Sequence, residues 1–152
     1  MKKYLITFFI CLGLLTGCPT TGGYKGTLEG EGDKSPYGLQ AHQILIEANR
    51  LADLVRDKEL TRVQAAQSLD RYRIELVGHN AVDDALFATY LRIAVDRQNN
   101  KIDGPTSQKR MKKELEGWQT RWKTLKKKPE NPAFANFLMQ VFELPPLAKD
   151  KN

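Results

Sequence analysis

Cysteine and histidine are scarce in this chain. Of 152 residues, two are Cys and two are His, and both cysteines, Cys11 and Cys18, fall near the start. A disulfide-dense scaffold is therefore excluded. A zinc site needs His, Cys or carboxylates gathered at short spacing. The nearest approach is His79 with Asp83 and Asp84, which reads more simply as a turn residue beside two acids at a helix start. Ser35, Ser68 and Ser107 have no Gly-x-Ser-x-Gly context. No glycine run has phosphate-loop spacing. Asp83 and Asp84 are adjacent, so on a helix they point in different directions rather than at one substrate. No catalytic residue and no metal ligand is assigned. A membrane-spanning run of about 20 apolar residues is also missing, and nowhere does apolar and polar character alternate long enough to predict a sheet.

The one apolar run lies at the start. Lys2 and Lys3 precede Tyr4 to Leu15, and the small residues Thr16 and Gly17 precede Cys18. A charged start, a short apolar stretch and a small-residue exit make a secretory signal. Leu15-Thr16-Gly17-Cys18 resembles the lipobox of bacterial lipoproteins. The resemblance implies that a diacylglycerol is joined to the Cys18 thiol as a thioether. The chain is then cut before Cys18 and the new amino group acylated. Those acyl groups are the only prosthetic chemistry expected, with no other cofactor. Cys11 leaves with the signal and Cys18 carries lipid, so no disulfide staple is expected. Pro19, where an Asp retains such proteins at the inner membrane, implies export to the outer membrane, facing the periplasm.

Removal of Lys2 and Lys3 takes the formal charge from +6 to +4. A basic balance often signals nucleic acid, but outside the cytoplasm phospholipid headgroups, lipopolysaccharide phosphates or an acidic protein surface are the expected counterparts. Nucleic acid is not expected as a partner. Residues 18–35 are rich in Gly and Thr and read as a tether.

Helical periodicity begins at Pro36. Leu39, Ile44, Leu45, Ala48, Leu51, Ala52 and Val55 make one apolar face. Thr61 and Gln64 form a capping box for a second helix with Val63, Ala66, Leu69, Tyr72, Ile74 and Leu76 inward, ended by Gly78. Asn80 caps a third helix through Val82, Leu86, Phe87, Tyr90, Leu91 and Ala94. A breaker over 98–107, with Gly104-Pro105, precedes a fourth helix from near Ser107 to about Lys127, seamed by Met111, Leu115, Trp118, Trp122 and Leu125. Asn131-Pro132 opens a fifth helix with Phe134, Phe137, Leu138, Val141 and Phe142, ended by Pro145-Pro146. The predicted fold is all-α, a bundle of five helices built from helical hairpins. Residues 51–61 echo 93–103 at an offset of 42; a repeat and the chance likeness of two amphipathic hairpins both account for it. The expected organisation is a signal peptide over 1–17, lipidated Cys18 and tether over 18–35, a bundle over 36–146, and a disordered tail over 147–152.

The fourth helix carries the one surface with a distinct character. Between Ser107 and Lys128 nine basic residues face two acids, a local +7 that leaves the rest of the mature chain slightly acidic. Lys109, Lys112, Lys113, Arg121, Lys123, Lys126 and Lys127 are the candidate face for an anionic partner; the plainer alternative is a solvated helix surface. The function expected is a non-enzymatic binding role for a lipid-anchored envelope protein, whose partner is an envelope protein, anionic lipid or lipopolysaccharide. An immunity or exclusion protein against an incoming toxin is the alternative, followed by a cell-wall hydrolase or its activator.

Overall fold

Each apolar stripe becomes a helix. The computed structural model describes residues 35–148, and the chain there runs α1 (Leu39–Arg56), α2 (Arg62–Val77), α3 (Ala81–Gln98), α4 (Gly104–Thr124) and α5 (Ala133–Val141). The described residues contain no strand, so the protein is all-α. The signal, Cys18 and the tether up to residue 34 lie outside the described residues, as do 149–152. No helix among the described residues is long and apolar enough to cross a membrane.

α1, α2, α3 and α4 pack in chain order, each against the next, and α1 touches neither α3 nor α4. α5 touches all four. The four hairpin helices thus form an arc whose concave side α5 fills. The sequence of α5 explains its place: Ala133 through Met139 are all buried, and a helix apolar all round belongs in a core. Phe134 meets Phe87 and Tyr90 edge-on, with centroids 5.7 and 5.8 Å away, and Phe137 at 5.6 Å.

The echo in the sequence is an echo in conformation. α1 and α3 begin 42 residues apart and end 42 apart, and α2 and α4 begin 42 apart. Buried Ile44, Leu45, Ala48 and Leu51 occupy the positions of buried Leu86, Phe87, Tyr90 and Ile93. Both helices close with one arrangement: Lys58 N donates to Val55 O and Glu59 N to Leu54 O, as Asn100 N does to Arg97 O and Lys101 N to Asp96 O. This is the Schellman turn, whose C′ residue is left-handed. Lys58 has φ 64° and Asn100 φ 55°. α5 ends in the same way, at Glu143 with φ 55°.

Several boundaries differ from the sequence expectation. α4 starts at Gly104, because Asp103 Oδ1 accepts from Thr106 N at 2.8 Å and Pro105 fits the first turn; the expected breaker is the helix start. It ends at Thr124, and Leu125 is already extended. In α2 the buried face is Ala65, Ala66, Leu69 and Arg73, while Val63 and Ile74 are half-buried. Asn131 does not cap α5: Pro132 is the cap residue and makes no side-chain bond. The bundle also extends beyond 146, since Leu147 is only 3% exposed and the expected tail is packed at its first residue.

Candidate anionic-partner face

α4 is amphipathic in charge as well as in hydropathy. Met111, Leu115 and Trp122 turn inward. At 100° per residue Lys109, Lys112, Lys113 and Lys123 fall within one arc of about 100° outside that inward face, and all four are exposed. No salt bridge engages them among the described residues. With a rise of 1.5 Å per residue, the stripe from Lys109 to Lys123 is roughly 21 Å long. Exposed Glu116 lies within it.

The remaining candidates sort differently. Arg121 Nη2 pairs with Glu114 Oε1 at 2.6 Å, and its guanidinium lies 4.3 Å from the Trp118 ring centre. Its charge is thus partly engaged on the flank of the helix. Lys126 and Lys127 are exposed but sit beyond the helix end, so they do not continue the stripe as a regular helical face. Arg110, on the same flank as Arg121 at 100° per residue, pairs with Asp96 at 3.3 Å. The structure therefore gathers Lys109, Lys112, Lys113 and Lys123, and sets Arg121, Lys126 and Lys127 apart. Cys18 lies outside the described residues.

The acids singled out for their spacing are structural. Asp83 is fully buried; its Oδ1 accepts from Ala135 N at 2.9 Å and its Oδ2 from Asn80 Nδ2 at 2.8 Å. Burial pushes its carboxyl up, against the pull of these bonds and of Arg73. Asp84 turns the other way, accepting from Arg73 Nη2 at 2.8 Å and lying 3.2 Å from His79 Nδ1. Burial raises the Asp84 carboxyl, but the Arg73 and His79 bonds together outweigh it and hold it below the usual carboxylate range. No group of three or more His, Cys, Asp or Glu among the described residues is placed to hold a metal.

Arg73 itself is a residue sequence reasoning missed. It is 2% exposed, pairs with Asp70 at 2.6 Å and Asp84, and lies over the Phe87 and Phe134 rings at 5.3 and 5.7 Å. The available signal was its place four residues after Leu69, on the inward stripe of α2.

A cleft of 440 Å³ opens at the α1–α2 turn, lined by Val55, Arg56, Lys58, Glu59, Leu60, Thr61, Arg62, Gln64 and Gln98. Glu59 is its single carboxylate, and no histidine or serine lines it. Gln98 Oε1 accepts from Val63 N at 3.1 Å, so the floor of this cleft serves to close the start of α2. No family model matches the chain, and neither a curated protein nor a solved structure does.

Proposed function

We propose that the protein is a lipid-anchored lipoprotein of the cell envelope, with a non-enzymatic binding role in which the outer face of α4 meets a phosphate-bearing partner. The observation that carries this is the stripe of Lys109, Lys112, Lys113 and Lys123, exposed together and free of salt bridges among the described residues. Each such cation near an anionic membrane surface contributes about 1 kcal/mol. Four of them on one straight helix form a contact of the length of a few headgroups. An anchor at Cys18, joined to the bundle through a Gly-rich stretch of sequence, supports a contact with the membrane surface. The resemblance at Leu15-Thr16-Gly17-Cys18 supports the anchor and the outer-membrane, periplasm-facing location.

The test separates the two parts. Palmitate labelling in cells is expected for the wild type and lost in Cys18→Ala; a labelled variant removes the anchor. The unlipidated protein is then sedimented with phosphatidylglycerol-containing vesicles and with purely zwitterionic ones. Changing Lys109, Lys112, Lys113 and Lys123 to Glu is expected to cut binding to anionic vesicles at least about tenfold, with the thermal midpoint unchanged. Retained binding at low salt would sink the α4 face as the contact surface.

A further inference from the structure

The residues after α5 are held in an unusual manner. Leu144-Pro145-Pro146-Leu147-Ala148 makes no backbone–backbone hydrogen bond after Leu144 N, which donates to Met139 O. Instead, side chains from α4, α5 and the segment before α1 reach its main chain. Tyr37 Oη donates to Leu144 O at 3.0 Å, Gln119 Nε2 to Pro145 O at 3.0 Å and Trp122 Nε1 to Ala148 O at 2.7 Å. Asn136 binds Leu147 at both main-chain groups, accepting from its N at 2.7 Å and donating to its O at 3.4 Å. A single side chain, that of Leu147, is fully enclosed.

This is the recognition chemistry of a proline-rich ligand. Prolines lack an N–H and fix their own φ, and a residue before proline is pushed to the extended or polyproline region. A segment so constrained loses little entropy on docking, and it offers carbonyls that aromatic donors such as Trp N–H and Tyr O–H capture. Here Leu144 and Pro145 both precede proline, and the donors are Tyr37, Gln119, Asn136 and Trp122.

We propose that the surface between α4 and α5 is a docking groove for a proline-bearing, extended segment of a partner protein, which the chain occupies in cis with residues 144–148. The contacts read main-chain carbonyls and one aliphatic side chain, so a partner segment of the Leu-Pro-Pro-Leu type satisfies them equally well. The tethered strap competes at an effective concentration in the millimolar range. A partner gains the site by being held at the same surface, where its own effective concentration matches that of the strap. The groove is independent of the anchor and of the α4 lysines.

The test uses the full chain, unlipidated, and a fluorescein-labelled peptide spanning residues 142–149. Leu147→Asp is expected to release the strap and bind the peptide at least about tenfold more tightly than the wild type, because the tethered competitor is removed. Adding Asn136→Ala, or replacing both prolines of the peptide by Ala, is expected to abolish the gain. Should Leu147→Asp fail to fold, the Trp122 indole N–H resonance of the wild type is followed with millimolar peptide, and it is expected to move. A folded Leu147→Asp that binds no peptide, or an unmoved indole resonance, overturns the proposal. So does a wild-type dimer that exchanges straps, which would make the groove's occupant a second copy.

Discussion

A guanidinium in an apolar core is stable only while its counter-charges stay in place. Arg73 lies over the Phe87 and Phe134 rings and keeps two carboxylates, Asp70 and Asp84. Removing one partner from a buried pair costs several kcal/mol, but Asp84 is 40% exposed and its contribution is screened. Asp84→Asn is expected to cost about 2 kcal/mol at neutral pH. The sign of the pH dependence follows from the direction of the shift. The folded-state Asp84 carboxyl is held below its ordinary 3.8, so its contribution is complete above that value and disappears as pH falls through the lower folded value. The difference in urea midpoint between wild type and Asp84→Asn should therefore shrink as pH is lowered below 3.8. A constant or growing difference would show that the pair is not what links stability to pH. Asp83 acts in the opposite sense. Burial raises its carboxyl, so the folded chain holds that proton more tightly and loses this contribution as pH rises through the raised value.

At the level of the elements, the chain ends its odd-numbered helices with a turn that suits glycine and then supplies other residues. Lys58 and Asn100 sit at matching left-handed positions, and neither is Gly. A β-carbon in this region costs roughly 1 kcal/mol or slightly more, less for Asn, whose side chain tolerates it. Lys58→Gly is expected to stabilise the protein by about 1 kcal/mol and Asn100→Gly by a few tenths, read as shifts in chemical denaturation midpoint. Equal or negative shifts would mean that the unfolded chain's added freedom cancels the relief. These turns also show what was legible in the sequence. Thr61 and Asn80 cap their own helices as expected, because each bond closes within three residues. The cap of α5 was not legible: Asp83, 52 residues earlier, accepts from Ala135 N. The same limit hid the strap, whose donors Tyr37, Gln119, Trp122 and Asn136 are separated from it by 11 to 107 residues. Periodicity through Leu125 predicts a helix that carries Lys126 and Lys127 on its face; the helix ends at Thr124 and Leu125 is extended instead. Stripes and local caps can be read from a sequence. Bonds between distant elements need the fold first.

For the whole molecule, repetition and cooperativity pull apart. Two hairpins offset by 42 residues could each unfold by itself if neighbours were the only contacts, as in a solenoid. α5 opposes that, because it touches every other helix and has no solvent face over Ala133–Met139. Phe134 concentrates the coupling: it packs on Phe87 and Tyr90 of α3 and lies under Arg73 of α2. Phe134→Ala is expected to cost about 3 to 5 kcal/mol, the range for deleting a buried ring. If α5 makes the arc one cooperative unit, the loss appears everywhere at once. Amide exchange protection in α1, whose residues do not stack on Phe134 in any aromatic pair, should then fall by the same free energy as in α3. If instead α3 loosens while α1 keeps its wild-type protection, the first hairpin is stable without the second and α5 is merely a shared neighbour. The expected result is the uniform loss, since α5 packs against α1 as well as against α3 and so ties the first hairpin to the second.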